Sequence, residues 1–123
     1  MDERMKIMIV DDEKIVRESL YHWFKRSGHM VETAASGFDA LEKLEMTPFD
    51  ILFVDIKMPQ MDGLELQERL RTLGLHIPIV FISAHYDLGV REQAMKAGAV
   101  AYIQKPFNEE VLLNAVNTGL GLS

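Results

Sequence analysis

Five polar residues stand where the apolar runs of this chain break off. Asp11-Asp12 follows Ile7-Met8-Ile9-Val10, and Asp55 follows Ile51-Leu52-Phe53-Val54. Ser83 follows Ile79-Val80-Phe81-Ile82, and Lys105-Pro106 follows Val100-Ala101-Tyr102-Ile103 with only Gln104 between. Singly, an Asp in such a place is most often a helix N-cap. Jointly they mean more, provided the runs are neighbouring strands of one parallel sheet. The carboxyl ends of such strands lie on one side, and ligands bind in the crevice outside them. Three carboxylates, a hydroxyl and an ammonium would then share one small pocket. Carboxylates that close repel one another, so either one takes up a proton or a hard divalent cation binds. Mg²⁺ suits best, because it accepts a few carboxylate or carbonyl oxygens while keeping water and substrate oxygens. A Mg²⁺ beside a lysine and a hydroxyl is the equipment of phosphoryl transfer, where catalysis is mostly positioning and charge neutralisation. An Asp carboxylate can itself be the acceptor, the nucleophile that becomes an aspartyl-phosphate.

The elements that must position these groups follow from the same runs. Three are unbroken and rich in β-branched or aromatic residues, as expected of strands covered on both faces. A further run, Met30-Val31 continuing into Glu32-Thr33-Ala34, is more polar and belongs at an edge. The stretches between runs are too long for hairpins and carry helical spacing. Val16, Leu20, Trp23 and Phe24 form one stripe, with Gly28 placed as its stop. Ala40, Leu41 and Leu44 form a second, which must end before Pro48. Leu66, Leu70 and Leu73 form a third, closed by Gly74, and Val90, Ala94 and Ala97 a fourth, closed by Gly98. The fifth runs from Asn108 as N-cap through Leu112, Ala115, Val116 and Leu120. The pattern is βα five times over. Right-handed crossovers turn it into an open α/β sheet with helices on both faces, a doubly wound three-layer sandwich.

Composition narrows the function classes. At 123 residues with 48% apolar content, the chain reads as one domain over residues 1–123, of which 119–123 are a short tail. Lys plus Arg number 13 against 19 Asp plus Glu, a balance that argues against nonspecific nucleic-acid binding. Without cysteine there is neither disulfide nor thiolate metal site, which fits a reducing cytoplasm. No apolar run approaches the roughly 20 residues that cross a bilayer. Met1-Asp2-Glu3-Arg4 lacks the apolar core of a secretory signal. A soluble cytoplasmic protein is expected, with no membrane partner, either alone or joined to an output domain.

Four segments together, in order and at these separations, carry a specific resemblance: Ile9-Val10-Asp11-Asp12-Glu13, the stretch Asp55-Ile56-Lys57-Met58-Pro59-Gln60-Met61-Asp62-Gly63, Ser83-Ala84, and Lys105-Pro106-Phe107. Over essentially its whole length the chain resembles a receiver domain of the bacterial two-component response regulators. The resemblance implies a flavodoxin-like five-stranded parallel sheet of order 2-1-3-4-5. It makes Asp55 the phosphoacceptor, with Asp12, Asp55 and the backbone carbonyl of Lys57 as Mg²⁺ ligands and Asp11 acting mainly through bound water; Mn²⁺ could substitute. Lys105 then contacts a phosphate oxygen, Ser83 is the hydroxyl that moves to the phosphate after transfer, and Tyr102 is the aromatic switch. A cis bond at Lys105-Pro106 is also implied. The partners implied are a sensor histidine kinase or histidine phosphotransfer protein. A second copy or a downstream target would meet the face made by the fourth helix, fifth strand and fifth helix. Such a domain is a regulatory phosphoacceptor, catalysing only its own phosphorylation and dephosphorylation. Lys57 and His85, each two residues beyond a site residue, take the positions that tune loss of the phosphoryl group. The reading here is obstruction by Lys57 and a long-lived phosphorylated form.

Two other functions fit less well. A haloacid-dehalogenase-like phosphohydrolase carries a second Asp two residues after its nucleophile, where this chain has Lys57. A flavin binder of flavodoxin type needs a Gly/Ser/Thr-rich phosphate loop after the first strand, and Asp11-Asp12-Glu13 would repel phosphate without a metal. His22, His29, His76 and His85 show no metal-ligand spacing and read as surface or packing residues. The eight Met residues read as core filler, and Trp23 as core on the first helix.

Overall fold

The computed structural model describes residues 4–119 and 121. Leu120, expected on the last helix, lies outside the described residues, as do Met1-Asp2-Glu3 and part of the tail. Strands and helices alternate as β1 (Lys6–Val10), α1 (Lys14–Arg26), β2 (Met30–Ala34), α2 (Gly37–Met46), β3 (Ile51–Asp55), α3 (Gly63–Thr72), β4 (Ile79–Ser83), α4 (Leu88–Lys96), β5 (Ala101–Gln104) and α5 (Glu109–Gly119). The five strands are all parallel in the order β2-β1-β3-β4-β5, so the polar second run does lie at an edge.

Strand periodicity of two divides the apolar residues between two cores. Ile7, Ile9, Ile51, Phe53, Val80 and Ile82 face α1 and α5, where Leu20, Phe24, Leu112, Ala115 and Val116 meet them. Met8, Val10, Leu52, Val54, Ile79 and Phe81 face the other way, onto Ala40, Leu44, Leu66, Leu70 and Ala94. Phe24 and Phe53, both fully buried, tilt against each other at 5.0 Å between ring centroids and tie α1 to the central strand. Truncating either ring would cost about 3–5 kcal/mol. They fill the core beside β3, the strand whose polar end is Asp55.

The stops expected at Gly28, Gly74 and Gly98 hold, each with positive φ just past a helix. Ser36, Asp62, Asp87 and Asn108 cap α2 to α5 by accepting from the backbone N–H three residues on. Three expectations about helix faces need correction. Leu73 and Ala97 are exposed, because each is the C-cap where its helix ends and the packed face runs out. Trp23 is half-buried at the rim, packed edge-on at 4.9 Å against Phe24, which occupies the core place itself. The methionines divide: Met8, Met58 and Met61 are buried, whereas Met30 and Met46 are exposed.

One close approach links the fold to the strand end that bears Asp55. The N–H of Gly63 donates to the carbonyl of Ile56 at 2.8 Å, drawing the start of α3 onto the end of β3. A Cβ at Gly63 would lie 2.7 Å from the Asp55 carbonyl oxygen and 3.0 Å from the Phe81 ring. Gly63→Ala is therefore expected to destabilise the protein by about 1–3 kcal/mol, although Ala is the better helix former. Urea denaturation of the two proteins checks this. An Ala variant as stable as the parent would mean that α3 can back away from the strand.

Candidate functional site

The carboxyl ends of β1, β3, β4 and β5 lie side by side, and the polar residues that end them come together there. Asp11 extends the β1 ladder through its N–H to the Ala34 carbonyl at 3.1 Å, and its side chain is completely buried. One of its carboxylate oxygens accepts from the Glu13 N–H at 2.9 Å and the other from the Lys105 ammonium at 3.2 Å. Asp55 ends β3 opposite Ile82 of β4 and is 5% exposed, whereas Asp12 is open to solvent. Asp11, Asp12 and Asp55 each offer an oxygen within 4.8 Å of the other two.

Lys105 reaches this cluster because its backbone is fixed. Its N–H donates to the Ser83 carbonyl at 2.7 Å, and the bond to Pro106 is cis, as the resemblance implied. The ammonium lies 3.2 Å from Asp11, 3.4 Å from Glu13 and 3.8 Å from Asp55. Among the described residues Lys105 is the one cation in ion-pair range of Asp11, Glu13 and Asp55, so one ammonium meets three carboxylates. Burial, then the neighbouring charge of Asp11, pushes Asp55 up to about 7, with Lys105 opposing and Asp12 adding to the rise. Burial also raises Asp11, against the pull of the Glu13 N–H and Lys105. Burial works to lower Lys105, but the carboxylates of Asp11 and Asp55 outweigh it and hold the ammonium above its usual range.

Ser83 is buried at the end of β4, and its hydroxyl is engaged with the backbone of His85. It donates to the His85 carbonyl at 2.8 Å and accepts from the His85 N–H at 3.2 Å, closing a small turn. Tyr102, half-buried on β5, donates to the same carbonyl over a long 3.4 Å and packs edge-on against Tyr86. The backbone of His85 is thus the meeting point of the two hydroxyls, while its side chain is exposed. Lys57 is exposed as well, and its N–H donates to the Asp55 carboxylate. The loop between them and α3 holds Gln60 at a φ of 69°, a left-handed conformation that side chains other than Gly adopt reluctantly.

The structure thus brings Asp11, Asp12, Asp55 and Lys105 into one cluster and leaves Ser83, Tyr102 and His85 as a second group beside it. Two residues of the cluster carry contacts that sequence reasoning missed. Arg17 donates from its guanidinium to the Asp11 carbonyl at 2.8 Å, and Glu13 shares Lys105. Their spacing held a signal, since Arg17 follows Glu13 by one helical turn and so sits over the loop that carries the aspartates.

Comparison with known proteins agrees with this geometry. The response regulator receiver domain family matches residues 7–117. The response regulator protein TmoT of Ectopseudomonas mendocina is 39% identical over 99% of this chain and 56% of its own length, so the chain spans about half of that relative. Response regulator MprA of Mycobacterium avium is 39% identical over 89% of this chain and 48% of its own length. Among solved structures, FixJ-N superposes with a TM-score of 0.88 at 35% identity, over 97% of this chain and 94% of its own. A family match over residues 7–117, a relative 39% identical across 99% of the chain and a solved structure that superposes over 97% of it have one reading: the protein belongs to the response regulator receiver domain family.

Proposed function

We propose that this receiver accepts a phosphoryl group on Asp55 from a sensor histidine kinase or a histidine phosphotransfer protein. The observation that carries the reading is the placing of the buried Asp55 carboxylate between Asp11, Asp12 and the Lys105 ammonium. A carboxylate oxygen of Asp55 attacks phosphorus, the bond from phosphorus to the donor's imidazole nitrogen breaks, and that nitrogen keeps the electron pair. Lys105 holds a phosphoryl oxygen afterwards, and the Ser83 hydroxyl leaves the His85 carbonyl to bind another. Losing Ser83 leaves that carbonyl to Tyr102 alone, which ties the change to β5 and α4. α4 is poised to respond, with Ala94 its only fully buried residue. The face of α4, β5 and α5 then meets a second copy or a downstream target.

The site suits Mg²⁺, with Mn²⁺ as substitute: its donors are hard oxygens, and its carboxylates lack enough cation to balance them. Asp12, Asp55 and the Lys57 carbonyl would hold the ion with help from Asp11. Bound there, it supplies the positive charge that neutralises both the carboxylates and the transferred group. Lys57 and His85 are exposed at the rim, where Lys57 would obstruct the water that hydrolyses the aspartyl-phosphate and prolong the phosphorylated form. The domain catalyses only its own phosphorylation and dephosphorylation. Within the described residues no helix is long and apolar enough to cross a membrane. The regulator is read as cytoplasmic. The chain as a whole, residues 1–123, is read as this one domain.

Intact-mass spectrometry after incubation with acetyl phosphate is the direct test. One phosphoryl group is expected on the parent, none on Asp55→Ala, and none when a chelator removes divalent cations. Undiminished label in either control would overturn the assignment.

Proton linkage supplies a second expectation. The folded protein keeps a proton on Asp55 up to about pH 7, whereas the unfolded chain releases it near the ordinary 3.8. Stability from this group is therefore full below pH 3.8 and is lost as pH rises to about 7. The displacement caps that loss at roughly 4 kcal/mol. Without metal, Asp55→Asn should melt several degrees above the parent at pH 8, and the gap should shrink toward pH 5. Saturating Mg²⁺ should raise the parent more than the variant. Equal melting temperatures at pH 8, or a gap independent of pH, would show that the carboxylate is not under this strain.

A further inference from the structure

Glu13 is the N-cap of α1, yet its side chain caps nothing. The caps of α2 to α5 are Ser36, Asp62, Asp87 and Asn108, all short side chains that accept from the backbone three residues on. A short polar residue is the favoured cap, worth about 1 kcal/mol over a residue that does not bond. Here a longer carboxylate stands in the cap position and reaches across to Lys105, with its oxygen 3.4 Å from the ammonium. That contact is nearer than the 3.8 Å separating the ammonium from Asp55. Asp11 is fully buried and gives Lys105 a fixed partner, while the Glu13 side chain is 63% exposed and free to let go.

We propose that Glu13 is a positioning residue that competes with the phosphorylated Asp55 for Lys105. It holds the ammonium toward the β1–α1 loop in the resting protein, and its release is part of every phosphorylation. The inference rests on Asp55 being the phosphoacceptor. It adds that the affinity of the site for a phosphoryl group is set partly by a side chain whose partner in the site is the Lys105 ammonium. An exposed ion pair of this kind limits the effect to roughly two- to fivefold.

Beryllofluoride, a non-covalent phosphoryl mimic, separates the possibilities when titrated at saturating Mg²⁺ and followed by NMR of the backbone amides. Two variants are needed beside the parent. Glu13→Gln keeps the length and removes the charge. Glu13→Asp keeps the charge beside the aspartates, suits a cap, and is too short to reach Lys105. Both should bind beryllofluoride roughly two- to fivefold more tightly than the parent. In a Lys105→Met background both substitutions should be silent, because the ammonium they compete for is gone. Thermal melts should show Glu13→Asp at least as stable as the parent, which separates lost reach from lost structure. Parent-like affinity in the two single variants would overturn the role of Glu13, as would an effect that persists with Lys105→Met. Tighter binding by Glu13→Gln alone would also overturn it, by assigning the effect to net charge. A parent that fails to bind beryllofluoride would instead remove the phosphoacceptor reading, and this inference with it.

Discussion

Everything distinctive about this protein depends on two carboxylates, Asp11 and Asp55, held in a buried site under one ammonium. Carboxylates in water avoid each other at small cost, but a folded chain can enforce the meeting if enough apolar contact holds their backbones in place. Here the β1 and β3 backbones are neighbours in the sheet, and the two residues lie at or just beyond the ends of those strands. The result is a site short of positive charge by design of its geometry. A receiver needs that shortage, because it gives a divalent cation and a phosphoryl donor a reason to bind and keeps the resting state distinct from the modified one.

The rest of the molecule can be understood as support for that arrangement. The Phe24–Phe53 contact makes the central strands hard to displace, and Gly63 lets α3 lie directly on the end of β3. Arg17 fixes the carbonyl of Asp11, and the Lys105 N–H fixes the backbone from which the ammonium extends. These are stiff elements. Beside them stands a softer group, Ser83, His85 and Tyr102, joined by hydrogen bonds to a single backbone carbonyl, with α4 resting on one fully buried residue. Among the described residues the acidic cluster and this hydroxyl group are adjacent but share no side-chain hydrogen bond, so under the proposed function a phosphate on Asp55 that recruited the Ser83 hydroxyl would connect them.

The element order, the edge position of β2 and the gathering of Asp11, Asp12, Asp55 and Lys105 were legible in the sequence, and for one reason. A strand buried on both faces must be apolar until it ends, so the first polar residue marks the place where it reaches solvent. The glycine stops were legible for a similar reason, since positive φ leaves few alternatives. The strand order came from resemblance and could not have been read from periodicity. What periodicity also could not report is where a helix stops packing. Leu73 and Ala97 keep the spacing of a buried face but fall at caps, and Trp23 keeps it while Phe24 takes the space. The direction of the Ser83 hydroxyl and the reach of Glu13 depend on which partner lies nearest in space. No local pattern encodes either.

The most direct measurement of the central claim is the titration of the Asp55 side-chain carboxyl, followed by carbon-13 NMR in metal-free protein and again with Mg²⁺. The metal-free midpoint is expected near 7, raised by burial and by the charge of Asp11, and should fall steeply once the cation binds. A midpoint in the ordinary carboxylate range near 3.8, unmoved by Mg²⁺, would mean that neither burial nor the neighbouring Asp11 charge strains the Asp55 carboxylate.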